Sequence, residues 1–224
     1  NAIWCDEAGE QMGAEPMRWL FADQNLSANL NFGYGPASEV KRRFLTLWNT
    51  YNFFIQYAVL DGIDPTKLNR GGERSLMDRW LLSRLQVLVR DVRGALDGYD
   101  LPPAVRAVEG FFEDLSNWYV RLNRRRFWKS DSDSDKAAAY LTLHETLATL
   151  CRLLAPVLPF LAEEMYQNLV RSVDPTAPES VHLCGFPEAQ GDLIDEGLMA
   201  EMETAIRLVG LGRLRVDDER DLHR

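Results

Sequence analysis

Histidine, cysteine and long apolar runs are scarce in this chain of 224 residues, which has three histidines and three cysteines. Cys5, Cys151 and Cys184 are too far apart for a metal knuckle, and their odd number favours reduced thiols. The longest apolar run, residues 153–162, is about half a membrane span and contains two prolines. We therefore expect no metal site, no association with a membrane and a cytoplasmic location.

Sequence motifs of enzymes are missing as well. No glycine-rich phosphate loop follows a predicted strand, no histidine pair has helical metal-ligand spacing, and no nucleophile motif occurs. Glu163 and Glu164 are adjacent, but neighbouring residues of a helix point apart, so a solvated surface explains them better than an acid–base pair does. His144 lies among leucines, where a hydrogen-bonded, partly buried imidazole is more common than a ligand. We expect no catalytic residue and no cofactor in this chain.

Positive charge is concentrated in one segment of an acidic chain. The formal net charge is -9, yet residues 116–129 contain five cations and no acid. Aromatic side chains alternate with these cations, a combination that suits contacts with phosphates and bases. The alternative is a solvated helix end whose arginines interact with the helix dipole and with the acids that follow. The cations are Arg121, Arg124, Arg125, Arg126 and Lys129, and the aromatic residues are Trp118, Tyr119, Phe127 and Trp128.

A helical wheel predicts which of these side chains face solvent. At about 100° per residue, Trp128 falls on the same exposed ridge as three arginines, whereas Trp118 belongs to the apolar stripe. Arg126 and Lys129 continue the line of that stripe, so we expect the last turn of the helix to project beyond its bundle. The stripe consists of Val108, Phe111, Leu115, Trp118 and Leu122, and the ridge of Arg121, Arg124, Arg125 and Trp128.

Helical periodicity dominates the chain and predicts an all-α fold, a helical bundle. A capping box at Ser75–Asp78 and prolines after Asp100 mark helix starts. The predicted helices lie near residues 37–60, 75–97, 101–128, 136–154 and 159–171.

Three regions are expected in this order along the chain. A connector, residues 1–35, has its own helical stretch near 14–22 and packs on the bundle through Trp19, Leu20 and Phe21. The bundle itself comprises residues 36–173. A mixed C-terminal extension, residues 174–224, starts a further module, with a short strand at 180–183 and a helix from about 193 to 209.

Several segments resemble the isoleucyl-tRNA synthetases of the class I synthetase family. The most specific are D-L-S-N-W-Y-V-R at 114–121 and R-R-R-F-W-K at 124–129. Other similar segments occur in the same order and spacing: M-G-A at 12–14, M-R-W at 17–19, L-N-F-G-Y at 30–34, R-F-L-T-L-W-N at 43–49, D-R-W-L-L-S-R-L at 78–85 and A-E-E-M-Y at 162–166.

The resemblance covers residues 1–213 and implies an anticodon-binding bundle that follows the catalytic core of a longer protein. A first residue other than methionine, Asn1, fits that expectation. The implied partners are the anticodon arm of isoleucine tRNA and the catalytic and editing domains of the same parent chain, and DNA is not a partner. ATP and Mg²⁺ are implied for the whole enzyme only. The family pattern is lost in residues 214–224.

The resemblance also implies which residues contact tRNA. Two other interpretations stay open: the same bundle of a valyl-tRNA synthetase, and a helical module that binds an acidic protein. The expected tRNA contacts are Arg121, Arg124, Arg125, Arg126, Trp128 and Lys129, with Arg79, Lys41 and Arg42 as weaker candidates.

Overall fold

The computed structural model describes residues 4–25, 30–69, 71–129 and 133–221, and over these ranges the chain is helical without strands. This confirms the predicted all-α fold. None of the helices in those ranges is both long and apolar enough to cross a membrane. The helices are α1 (Cys5–Met12), α2 (Ala14–Ala22), α3 (Tyr34–Leu60), α4 (Leu76–Asp97), α5 (Leu101–Glu113), α6 (Arg121–Trp128), α7 (Asp133–Leu154), α8 (Pro159–Tyr166) and α9 (Glu196–Asp221).

Helices α3 to α8 form the bundle, and its core lies between α4, α5 and α7. Leu81, Leu85, Leu143 and Leu147 on α4 and α7 are completely buried. The five predicted bundle helices are confirmed, although two of them contain a π-helical turn: Asp114–Val120 joins α5 to α6, and Gln167–Arg171 extends α8. The predicted capping box is present, with Ser75 and Asp78 bonding to each other's backbone at the start of α4.

The segment before α3 packs on the bundle, as predicted. Trp19 is 2% exposed, its ring lies edge-on to Phe44 at 5.4 Å, and its indole N–H donates to Glu109 at 2.9 Å. Leu20 is also buried. Phe21 stays at the surface instead, where it stacks on Phe32 at 5.3 Å. The predicted packing is therefore confirmed for Trp19 and Leu20 and is wrong for Phe21.

Two charged residues of α2 bond to the start of α8 and to the turn that precedes it. The Glu15 carboxylate accepts from the backbone N–H groups of Phe160 and Leu161, each at 2.8 Å, and so caps the start of α8. One turn further along α2, the Arg18 guanidinium donates to the carbonyls of Pro156 and Val157, also at 2.8 Å. We call this pair of contacts the Glu15–Arg18 clamp.

The prediction of a strand at 180–183 is wrong, because Val181–Leu183 forms a short 3₁₀ turn. The Glu163 carboxylate accepts from the Ser180 hydroxyl at 2.8 Å and from the Val181 N–H at 2.9 Å, which directs this segment to α8. Glu163 is therefore bonded, whereas a solvated carboxylate was expected. The Gln167 side chain donates to the same Glu163 carboxylate. These three hydrogen bonds hold the turn, and the described ranges contain no strand with which residues 180–183 could pair.

The segment after residue 174 also packs on the bundle. The backbone N–H of Gln190 donates to the buried Gln86 side chain at 2.9 Å, and that of Asp195 donates to the buried Ser83 hydroxyl at 2.8 Å. Both acceptors lie on α4. The last helix, α9, begins and ends later than predicted.

Candidate nucleic-acid interface

The π-helical turn Asp114–Val120 rotates everything that follows it on the helix. A π turn inserts about one extra residue into the helical repeat, so the buried face moves on by one position. Val108 and Phe111, before the turn, and Leu115, near its start, are buried as predicted. After it, Asn123 and Phe127 face inward, and Leu122, predicted to continue the stripe, is 59% exposed.

The predicted environment of Arg126 is wrong for the same reason. The α-helical wheel directed this arginine along the apolar stripe and beyond the end of the bundle, with its head in solvent. In the structure its side chain is only 14% exposed and forms an ion pair with Asp78, whose carboxylate is completely buried. The last turn of α6 is thus anchored to the bundle.

The Arg126 guanidinium bonds to residues of α4 and α7. We call the group formed by Arg126, Asp78, Asp135, Tyr119 and Ser75 the Arg126 network. Its Nη1 and Nη2 donate to the two oxygens of Asp78 at 2.9 and 2.8 Å, a bidentate geometry. Its Nε donates to Asp135 at the start of α7 at 3.0 Å. Asp78 also accepts from the Tyr119 hydroxyl at 2.6 Å and from the Ser75 N–H at 3.0 Å.

The charges of the network stabilise one another. Burial opposes ionisation of Asp78, but hydrogen bonds from Arg126 and Tyr119 outweigh it and lower the pKa of the Asp78 carboxyl. Burial and the neighbouring Asp78 charge raise the pKa of the Tyr119 hydroxyl well above its ordinary value. The network therefore holds an ionised Asp78 and a neutral Tyr119 at neutral pH.

The other cations of this segment lie at the surface of α6. Trp128 is 62% exposed, which agrees with its predicted position in solvent. The Arg124 guanidinium lies 5.9 Å from the centre of the Phe53 ring, a cation–π contact with α3. We call the exposed residues the α6 ridge, and they are Arg121, Arg124, Arg125, Trp128 and Lys129.

Phe127 anchors the ridge from below. It is completely buried, and its ring lies 5.1 Å from Phe53 on α3 and 5.1 Å from Tyr140 on α7, edge-on to both. Phe53 therefore contacts both the anchor and Arg124. We did not predict a role for Phe53. Its neighbour Phe54 faces the core, so an aromatic residue at position 53 lies off the buried face of α3, and this was a usable signal of a contact with another element.

The three weaker candidates lie in different places. Arg79 is exposed on the first turn of α4, next in sequence to Asp78. Lys41 and Arg42 are on the first half of α3, about 16 to 18 Å along the helix from Phe53. Lys41 donates to the Gln11 carbonyl at 3.1 Å, and Arg42 pairs with Glu39. A contact of these three residues with tRNA stays a prediction.

Two predictions about neighbouring residues agree with the structure. Trp118 is partly buried against the core, as its place on the stripe indicated. The imidazole of His144 lies 2.9 Å from the Leu169 carbonyl and is partly buried, which fits a structural histidine.

Comparison with known proteins identifies relatives of this chain. The isoleucine–tRNA ligases of Dehalococcoides mccartyi and Thermus thermophilus are each 48% identical to this chain over 206 residues. The alignment includes 91% of this chain and 20% of either relative, so the chain spans about a fifth of the length of these curated relatives.

A solved structure and a family model complete the comparison. A LeuRS–tRNA–LeuAMS ternary complex from Agrobacterium radiobacter shares the fold, with a TM-score of 0.55, 16% identity, and coverage of 87% of this chain and 22% of that chain. The family model described as the anticodon-binding domain of tRNA ligase matches residues 78–216, which include most of α4 and all of α5 to α8. The chain belongs to the anticodon-binding domain family of tRNA ligases.

Proposed function

We propose that this chain is the tRNA-binding domain of an isoleucine–tRNA ligase and that it binds the anticodon arm of isoleucine tRNA. The observation that carries the proposal is the α6 ridge, which gathers exposed cations and an exposed indole in a domain of this family. The relatives named isoleucine–tRNA ligase, at 48% identity, support isoleucine over valine as the amino acid of the parent enzyme.

The ridge has the two kinds of group that RNA recognition uses. Arg121, Arg124, Arg125 and Lys129 are placed to contact phosphates, which sets the register of the RNA without reading its sequence. Trp128 offers an exposed ring on which an unstacked loop base can lie. An RNA polyanion that approaches a chain of net charge -9 is repelled by most of its surface, so a local cluster of cations also orients the encounter.

The domain acts by position and not by chemistry. In the parent enzyme, we propose, the catalytic domain joins isoleucine to ATP and then to the tRNA end, using ATP and Mg²⁺ that this domain does not bind. The editing domain belongs to the same parent chain, and the enzyme works in the cytoplasm. By holding the anticodon arm, the bundle keeps the acceptor end of the tRNA in register with the catalytic domain.

A binding titration tests the proposal. Transcripts of isoleucine tRNA and valine tRNA are titrated into the chain at salt concentrations from 50 to 200 mM. We expect tighter binding of isoleucine tRNA and an affinity that falls linearly with the logarithm of salt concentration, because bound counterions are released from the phosphates.

The same titration separates the alternatives. Preference for valine tRNA assigns the chain to the valine enzyme. If an acidic peptide competes as well as the tRNA at equal charge, and the chain does not distinguish tRNA from other polyanions, the chain is a protein-interaction module and the proposal is wrong.

A further inference from the structure

We infer that Arg126 is a positioning residue, which fixes the rotation of α6 through Asp78 and Asp135 and so presents the α6 ridge to RNA without contacting RNA itself. The inference rests on the proposed function and gives this arginine a role different from that of its neighbours Arg124 and Arg125. Its basis is the difference in environment between cations that are adjacent in the sequence.

The first step is that Arg126 has no donor left for a phosphate. Its Nε binds Asp135, its Nη1 binds Asp78 and lies within 3.3 Å of Ser75 and Asn123 oxygens, and its Nη2 binds Asp78 and the Asp135 carbonyl at 3.2 Å. A guanidinium has five N–H donors in a fixed fork, and these acceptors surround all of them. Turning Arg126 out to a ligand leaves the buried Asp78 carboxylate unpaired, which is strongly unfavourable.

The second step is that tertiary contacts hold the last two turns of a long helix. α6 has eight residues and continues from α5 through the π-helical turn, whose hydrogen-bond pattern differs from that of the α-helix on either side. Two side chains anchor it: Phe127 enters the aromatic cluster of Phe53 and Tyr140, and Arg126, about 100° round the helix, binds Asp78 and Asp135.

The third step concerns what the two anchors do to the ridge. One anchor holds α6 against the bundle, whereas two anchors on different faces also oppose a twist of α6 relative to α5. Arg126 binds α4 through Asp78 and α7 through Asp135, so α6 is held between two helices of the core. A roll of 20–30° moves the head of a ridge arginine by several ångströms, enough to break a bidentate phosphate contact. Preorganisation of this kind lowers the entropic cost of binding.

The test uses Asp135→Asn, because electrostatics and positioning predict opposite results for it. Asp135 is 38% exposed, so the variant is expected to fold. Removing a negative charge beside a cationic ridge should tighten RNA binding by simple electrostatics. If Arg126 positions the helix, the variant instead binds isoleucine tRNA about three- to tenfold more weakly, the equivalent of about one hydrogen bond. Asp133→Asn, two residues away on the exposed start of α7, is the matched control and should bind no more weakly than the wild type.

A conservative pair of variants separates the fork from the charge. Arg126→Lys keeps the charge, but an ammonium group lacks the forked donors that bind Asp78 and Asp135 together. The variant should therefore weaken RNA binding with an unchanged salt slope. Arg90→Lys changes an exposed arginine on α4 that is outside both the ridge and the Arg126 network, and this matched control should bind as the wild type does.

Amide hydrogen exchange shows whether the effect is local. In Asp135→Asn, we expect exchange to accelerate at residues 121–129 and to stay unchanged at residues 139–151 in the core of α7. Uniform acceleration in both segments, or none in 121–129, overturns the inference, and so does binding by Asp135→Asn that equals or exceeds that of the wild type. A loss of salt slope in Arg126→Lys equal to one phosphate contact also overturns it. If the wild type binds no tRNA, the proposed function fails, while the exchange result still decides whether the network fixes α6.

Discussion

Phe127 and Trp128 are adjacent aromatic residues with opposite environments. Phe127 is completely buried between two other rings, whereas Trp128 is 62% exposed. Exposure of an indole to water loses the free energy that its burial would provide, roughly 25 cal/mol for each Å² of apolar surface. The exposed tryptophan beside arginines fits the proposed contact with RNA, and the buried phenylalanine fits packing.

The first prediction follows from this contrast. Trp128→Ala should lower the affinity for isoleucine tRNA by about 1–3 kcal/mol, because a stacking platform is lost, and should leave the salt slope unchanged. Its thermal unfolding should match the wild type. Phe127→Ala is the opposite control and should lose about 3–5 kcal/mol of stability. A Trp128→Ala variant that unfolds several degrees earlier and binds tRNA normally means that Trp128 is a packing residue.

The arginines of the ridge give the second prediction. Arg124→Ala should weaken binding to isoleucine and valine tRNA alike and should reduce the slope of log affinity against log salt by about 0.7–0.9, the value for one lost phosphate contact. Arg90→Ala is the matched control: Arg90 is also exposed, but it lies on the second half of α4, about 16 Å or more from Asp78 along that helix. The slope and affinity of this control should equal those of the wild type. A change restricted to one tRNA after Arg124→Ala contradicts a phosphate contact and indicates base reading.

At the scale of secondary-structure elements, the sequence predicted well which segments are helical. It predicted incorrectly which face of α6 is buried. Apolar residues at spacings of three and four determine which segments are helical, and the starts and ends of α3, α4 and α7 agree with the prediction within a few residues. A π-helical turn has no comparable signature in a single sequence. The wheel therefore placed Leu122 on the buried stripe and Arg126 on the continuation of that stripe, beyond the end of the bundle. Asp78 of the capping box can also pair with an arginine far away in the sequence, but the capping motif does not identify which arginine that is.

The Glu15–Arg18 clamp gives the third prediction, at the same scale. Glu15→Gln keeps the shape of the side chain but removes the charge that interacts with the start of α8, and we expect a loss of about 0.5–2 kcal/mol in the free energy of unfolding. Glu10→Gln, an exposed acid on α1, should have no effect beyond about 0.5 kcal/mol.

Limited proteolysis locates the effect of that change. Loss of the clamp should expose residues 14–22 to cleavage before the bundle is cut, because α2 would open locally. If Glu15→Gln and the wild type are cleaved at the same sites and rates, the clamp does not hold α2 on the bundle. Trp19, packed on Phe44 and bonded to Glu109, would then carry that role alone.

For the whole molecule, the exposed candidates were predictable and the buried connections were not. Cysteine spacing argued against a metal knuckle, periodicity predicted an all-α bundle, and the local excess of cations predicted the segment that we propose as the RNA contact. The long-range contacts of Asp78, Asp135 and Phe53 with α6 depend on the tertiary arrangement of helices that are far apart in the sequence. For that reason the sequence assigned the same role to Arg124 and Arg126, and the structure separates them.

The last prediction concerns the pH dependence of stability. Hydrogen bonds from Arg126 and Tyr119 lower the pKa of Asp78 below its ordinary value of 3.8, against the effect of burial. A group whose folded pKa is lowered stabilises the fold above its unfolded pKa, and this contribution is lost as the pH falls through the folded pKa. The Asp61 and Glu163 carboxyls, whose pKa values are also lowered despite the opposing effect of burial, act with the same sign, whereas burial raises the pKa of Asp114, which acts with the opposite sign.

We therefore expect the free energy of unfolding in urea to be nearly constant from pH 7 to pH 5 and to decline below about pH 4. Asp78→Asn should lose about 3–5 kcal/mol at pH 7, because the partners of a buried carboxylate lose their charge–charge contact, and it should decline less steeply in acid because one titrating group is gone. Asp97→Asn, at an exposed carboxylate at the end of α4, is the control, and its free energy of unfolding at pH 7 should equal that of the wild type within about 0.5 kcal/mol. If stability falls in parallel for Asp78→Asn and the wild type as the pH is lowered, Asp78 does not titrate between pH 5 and pH 2. The ionised pair with Arg126 is then not a source of the acid sensitivity.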